Sequence, residues 1–197
     1  FDEVKMSDFN SLTASELGDM IGQGKIDPVE LTEHFLSQIK LSPVGKKIYS
    51  TVTSQLAMEQ AKASKMRADN GRRLSSLDGV PISWKDLFDI AGYPCEAGSE
   101  LLAGRVANKN SEVYNLAEAH GLICLGKTHM SELAFSGLGL NPIRETPPCF
   151  NYPDSVPGGS SSGAATSVAF GLASAGIGSD TGGSVRIPAA WNDLVGL

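Results

Sequence analysis

Hydroxyl groups crowd one stretch of this chain. Between residues 158 and 184, 15 of 27 residues are glycine or serine. They gather at two ends, 158–163 and 179–184, around a middle that carries Val168, Phe170 and Leu172. A flexible linker shares that composition but has no reason to bury an apolar middle. Two tight glycine turns flanking a packed helix are therefore expected. A serine hydroxyl becomes a useful nucleophile only when a base takes its proton. No histidine lies in the region, which leaves lysine as the available base. An ordinary lysine, with a pKa of ~10.4, is a poor base at neutral pH. Burial disfavours its ammonium form and lowers that value. Lys85 follows the apolar run Gly79-Val80-Pro81-Ile82-Ser83-Trp84, which supplies such surroundings. Lys127 is the rival base. No apolar strand is expected to lead directly into it, so it is expected as a solvated lysine of a polar turn.

Two other motifs compete. Gly121-Leu122-Ile123-Cys124-Leu125-Gly126-Lys127-Thr128 matches the phosphate-binding loop pattern literally. Its four intervening residues are apolar, whereas a true phosphate loop is exposed. A buried strand followed by a polar turn fits better. Gly159-Ser160-Ser161-Ser162-Gly163 matches the nucleophile-elbow pattern and points at Ser161. That arrangement needs a histidine after the serine, yet His34, His120 and His129 all precede Ser161. His129 is expected to open a helix.

The elements that must position these groups are legible in part. Thr13-Ala14-Ser15-Glu16 has the form of a capping box, and Gly24 is a natural helix stop. Asp27-Pro28-Val29-Glu30 places an N-cap before a proline at the first helical position, and that helix runs to Pro43. Further helices are expected over residues 56–66, 112–119 and 164–173. Strands are expected over 49–52, 79–84, 122–125 and 175–178. A long Pro-, Gly- and Asn-rich loop covers 137–157. Helices alternating with short apolar strands indicate a layered α/β fold. No repeat or linker divides the chain, so residues 1–197 are expected to form a single domain. Met6 is a candidate native start, with residues 1–5 a leftover before it. The apolar end, Asp193-Leu194-Val195-Gly196-Leu197, reads as an interrupted element and suggests truncation.

Composition narrows the partners. A net charge of −6 argues against nucleic acid or an anionic membrane as the main partner. No apolar run approaches the ~20 residues needed to span a bilayer, and no secretory signal is visible. Cys95, Cys124 and Cys149 are odd in number and widely spaced, which disfavours a disulfide framework or a zinc site. Reduced thiols and a cytoplasmic home are expected. The three histidines form no ligand cluster, so no metal is expected.

Several ordered segments together carry a family resemblance. Pro157-Gly158-Gly159-Ser160-Ser161-Ser162-Gly163 and Gly178-Ser179-Asp180-Thr181-Gly182-Gly183-Ser184-Val185-Arg186-Ile187-Pro188-Ala189-Ala190 resemble the amidase signature, with 24 residues from Ser160 to Ser184. The segment from Gly79 to Asp86 resembles the family's lysine strand, and Gly126-Lys127-Thr128-His129-Met130-Ser131-Glu132 another recurrent segment. The match covers roughly residues 12–197. It implies a mixed central β-sheet covered by helices on both faces, incomplete at the C-terminus. It implies an amide hydrolase that forms an acyl-enzyme and needs no cofactor. Ser184 would be the nucleophile. Ser160, in a cis peptide after Gly159, would relay the proton, and Lys85 would be the terminal base and acid. Backbone N–H groups of Thr181, Gly182, Gly183 and Ser184 would form the oxyanion hole. Ser161, Asp180 and Arg186 would support the site, the last two as an ion pair or through the substrate. The implied partner is a small-molecule amide, with a homodimer left open. The glutaminase-type A subunit of a tRNA-dependent amidotransferase shares the signature, and an inactive truncated fragment is a further alternative. Residues 133–142 depart from the Ser- and Asn-rich pattern of those glutaminases, and Ile187 also looks more like a stand-alone amidase. Trp191-Asn192-Asp193 departs from the aromatic-Cys-Gly expected after Ala190.

Overall fold

A computed structural model describes residues 6–197, so the expected leftover at residues 1–5 lies outside the described residues. Along the chain run α1 (Ala14–Gly22), α2 (Pro28–Leu41), α3 (Gly45–Ile48), β1 (Tyr49–Val52), α4 (Ser54–Asp69), β2 (Pro81–Lys85), α5 (Glu112–Ala119), β3 (Ile123–Thr128), α6 (Ser162–Ala169), β4 (Gly176–Ile177) and α7 (Arg186–Trp191). The sheet order is β1-β3-β2-β4. β1 pairs antiparallel with β3, while β2 lies parallel to both β3 and β4. The sheet is therefore mixed, as the resemblance implied.

Local signals set the helix starts. The Thr13 hydroxyl accepts from the Glu16 N–H at 3.2 Å while the Glu16 carboxylate accepts from the Thr13 N–H at 2.8 Å. Two otherwise orphaned donors are thus satisfied at once. Asp27 caps α2 by accepting from the Val29 N–H at 2.8 Å. Past α1, Gly24 adopts φ +69°, a left-handed conformation that glycine takes without penalty.

Alternation along β2 sorts the two faces of the sheet. Ile82 and Trp84 take the face opposite α6, where the Trp84 ring lies 5.2 Å from that of Tyr114 in α5. Gln60 of α4 donates to the Tyr114 hydroxyl at 2.9 Å and accepts from the Cys124 N–H at 2.9 Å. Ser83 and Lys85 turn toward α6, and the Ser83 and Ser167 hydroxyls meet at 2.7 Å. Helices thus cover both faces. Every side chain of β2 is buried, Lys85 included.

Beyond the unexpected short helices α3 and α7, three segments near the site differ from the sequence expectation. β3 does not stop at Leu125 but runs through Gly126, Lys127 and Thr128, all buried. Lys127 is therefore not a solvated turn lysine. Its ammonium bonds Asp86 at 2.9 Å and the Pro94 carbonyl at 3.2 Å, and an ion pair lets a strand continue through a charged residue. α6 starts at Ser162 rather than 164 and ends before Gly171, whose φ is +66°. His129 opens no α-helix; a 3₁₀ turn, Glu132–Ala134, follows instead.

The long loop over 137–157 is held by two asparagines. Asn141 donates to the carbonyls of Gly98 and Met130 and accepts from the N–H groups of Ile143 and Arg144. Asn192 donates to the carbonyls of Pro157 and Pro188 and accepts from the Phe150 N–H. The Trp-Asn-Asp departure therefore replaces the family pattern with a buried polar staple.

Candidate active site

Three chain segments meet at the C-terminal end of β2. Lys85, its last residue, is fully buried. Its ammonium donates to the Ser160 hydroxyl at 2.6 Å and to the Ser179 hydroxyl at 2.8 Å. Among the described residues no carboxylate hydrogen-bonds it. Burial pushes its pKa down to about 8, against the opposing attraction of Asp180. Lys127 lies beside Trp84 in the parallel register, on the other face of the sheet, with Asp86 as its counterion. The two buried lysines therefore differ in kind: one is held by hydroxyls, the other by a carboxylate.

Ser160 follows a cis peptide after Gly159. The segment is seated by backbone bonds from the loop after β3. The Gly159 N–H reaches the Gly137 carbonyl at 2.8 Å, and the Ser131 N–H reaches the Ser160 carbonyl at 3.2 Å. A Cβ on Gly159 would meet the Gly139 backbone and the Ser131 hydroxyl, each at 2.7 Å. Glycine is required here by close approach.

Ser161 does not present a free hydroxyl. It accepts from the Ser179 N–H at 3.2 Å and donates to the Ser179 carbonyl at 3.3 Å. Its own N–H donates to the Ser184 carbonyl at 3.1 Å, tying the two glycine turns together. Ser184 is half-buried, and among the described residues its hydroxyl makes no hydrogen bond.

Asp180 organises the second turn. Its carboxylate accepts from the N–H groups of Gly183 at 2.7 Å, Val185 at 3.0 Å and Arg186 at 3.2 Å. The Arg186 guanidinium adds two bonds, at 3.0 and 2.9 Å, and holds the Asp180 carboxyl well below the usual range. The Gly183 N–H is thus occupied. Of the four donors expected at an oxyanion hole, those of Thr181, Gly182 and Ser184 have no protein acceptor among the described residues.

Ser179 is a site contact that the sequence does not announce. It stands in the quoted motif, but nothing in its spacing signals contact with a lysine 94 positions earlier in the chain.

The amidase family model matches residues 30–197. The chain belongs to the amidase family. The A subunit of the glutamyl-tRNA(Gln) amidotransferase of Acinetobacter baylyi is 38% identical over 200 residues, which cover 98% of this chain and 39% of that protein. The peptide amidase of Stenotrophomonas maltophilia superposes with a TM-score of 0.83 at 28% identity, covering 91% of this chain and 38% of its own. An amidase family protein from Bacillus anthracis gives 0.84 at 29%, covering 94% and 38%. The chain thus spans about two fifths of the length of these amidase relatives. Among the described residues no helix is long and apolar enough to cross a membrane.

Proposed function

We propose that this amidase-family hydrolase cleaves linear amide C–N bonds through an acyl-enzyme on Ser184, with Ser160 as proton relay and Lys85 as base. The observation that carries this is the 2.6 Å contact between a buried, carboxylate-free Lys85 amine and the Ser160 hydroxyl. A lysine whose pKa lies near 8 is partly uncharged at neutral pH, close to the optimum for general base catalysis. In the proposed reaction the Ser184 oxygen bonds the carbonyl carbon as its proton passes to Ser160. The Ser160 proton passes in turn to Lys85. The negative oxygen that forms is met by the N–H groups of Thr181, Gly182 and Ser184, each such donor being worth roughly 3–4 kcal/mol of barrier. Collapse breaks the C–N bond, and the proton returns from Lys85 through Ser160 to the departing nitrogen. Water repeats the sequence on the ester and releases the acid. Asp180 and Arg186 act by holding the turn. No cofactor takes part. A cytoplasmic home fits the free thiols of Cys95, Cys124 and Cys149, all buried.

A fluorophosphonate probe should label Ser184, and Ser184→Ala should abolish labelling. Labelling that persists in the variant would move the nucleophile to Ser161 or elsewhere.

A second assignment, the glutaminase role within a tRNA-dependent amidotransferase, is favoured by the 38% identity to the Acinetobacter baylyi protein. Residues 133–142 and Ile187 favour the stand-alone enzyme. Co-purification with a tRNA-binding partner, together with ammonia release from glutamine, would decide for the amidotransferase.

A further inference from the structure

We infer that Ser179 is the residue that orients the Lys85 amine toward Ser160, and that Ser161 acts through Ser179 as its clamp. This rests on the proposed Ser184–Ser160–Lys85 mechanism and adds two positioning residues to it.

A neutral amine has two N–H bonds and a single lone pair. To take a proton from Ser160, its lone pair must face the Ser160 hydroxyl, so its hydrogens need acceptors elsewhere. Ser179 Oγ lies 2.8 Å from Lys85 Nζ, and among the described residues it is the only hydrogen-bonding partner of that amine besides Ser160. With that acceptor in place, rotation about the last side-chain bond is restrained and the lone pair is left for Ser160. Without it, neither N–H of the fully buried amine has an acceptor among the described residues, and the amine turns freely.

Ser179 is itself held from behind. The Ser161 hydroxyl bonds both the N–H and the carbonyl of Ser179, at 3.2 and 3.3 Å, which fixes the backbone from which the Ser179 hydroxyl projects. An independent feature supports this approach. A Cβ on the neighbouring Gly178 would lie 2.6 Å from Ser161 Oγ and 2.8 Å from Ser161 Cβ, so the clamp closes only because residue 178 has no side chain. The adjacent serines 160 and 161 thus serve the same lysine from two sides, one by direct contact and the other through Ser179. The charged group that faces Lys85 is Asp180, whose carboxylate is committed to Arg186 and the turn. The Lys127–Asp86 pair sits across the sheet.

The test combines fluorophosphonate labelling rates with an NMR titration of the Lys85 side chain, read at its Cε. Ser179→Ala should slow labelling of Ser184 by about 10- to 100-fold, as expected for a displaced reacting group. Because a hydroxyl acceptor favours the ammonium, the Lys85 midpoint should fall in the same variant, giving more free base and yet less reaction. Ser179→Thr should restore both values. Ser161→Ala should slow labelling too, but add little in the Ser179→Ala background. The inference is overturned if Ser179→Ala labels as fast as the parent. It is equally overturned if labelling slows with an unchanged Lys85 midpoint, or if the two single effects multiply. Labelling of Lys85→Ala at the parental rate would instead overturn the base assignment itself, and this inference with it.

Discussion

Two buried lysines on one sheet are expected to respond in opposite ways to the same substitution. Lys85 is held by hydroxyls, and its pKa is depressed from 10.5 to about 8. Between those values the unfolded chain binds more protons than the folded one, so stability rises with pH across that window. Below about pH 8 the full cost of burying the ammonium is present, on the order of 3 kcal/mol by that shift. Lys85→Met should therefore stabilise the fold at pH 7 by ~1–3 kcal/mol while abolishing labelling of Ser184. The gain should shrink toward pH 10, as urea unfolding at both pH values will reveal; a less stable Lys85→Met at pH 7 would contradict it. In the parent, the labelling rate should climb through about pH 8 and then level, following the uncharged amine. Lys127→Met strands a buried Asp86 carboxylate without its cation. A loss of about 3–5 kcal/mol is expected in the same unfolding experiment. Labelling per folded molecule should fall far less than in Lys85→Met.

At the scale of elements, the site depends on how closely α6 approaches β3. The Gly163 N–H bonds the His129 carbonyl at 2.9 Å. A Cβ at Gly163 would lie 2.6 Å from that carbonyl oxygen and 2.8 Å from the Ile48 carbonyl oxygen. Both are backbone atoms that cannot swing aside. Gly163→Ala is expected to cost at least ~1–3 kcal/mol by overpacking, measured by denaturant unfolding. It should also displace Ser160 from Lys85 and slow labelling. An unaltered midpoint would show that α6 can slide. The glycine ends around an apolar middle announced a packed helix here. Its start at Ser162 was not announced, because Ser162 and Gly163 are poor helix formers that tertiary contact holds in place.

At the scale of the molecule, the sheet ends in two edge strands, β1 and β4. Large apolar side chains stand in solvent: Phe135 is 93% exposed, Val195 88% and Leu197 fully. Beside β4 a groove of about 230 Å³ is lined by Ala164, Val168, Val185, Leu194 and Val195 among others. Open strand edges next to apolar surface promote association. The 197-residue chain should therefore self-associate with rising concentration in sedimentation experiments. Val195→Lys combined with Leu197→Lys should reduce that association. A parent that remains monomeric at high concentration would refute the link.

The amino-acid order by itself determined the four strands and most of the helices, though not α3 or α7, together with the helix caps at Thr13 and Asp27, the family, and the residue types available for chemistry. These are local or ordered properties, set by side-chain periodicity, by turn chemistry and by motifs whose spacing survives in one dimension. Only the tertiary structure decided which lysine meets hydroxyls and which meets a carboxylate. It also showed that Ser161 is spent on the backbone of Ser179, that Ser179 touches Lys85, and that the Gly183 N–H is spent on Asp180. Each of those facts is a pairing across the sheet or between turns. Such pairings depend on which face a strand residue takes and on how near a glycine lets two backbones come, and neither is written in any single segment of the chain.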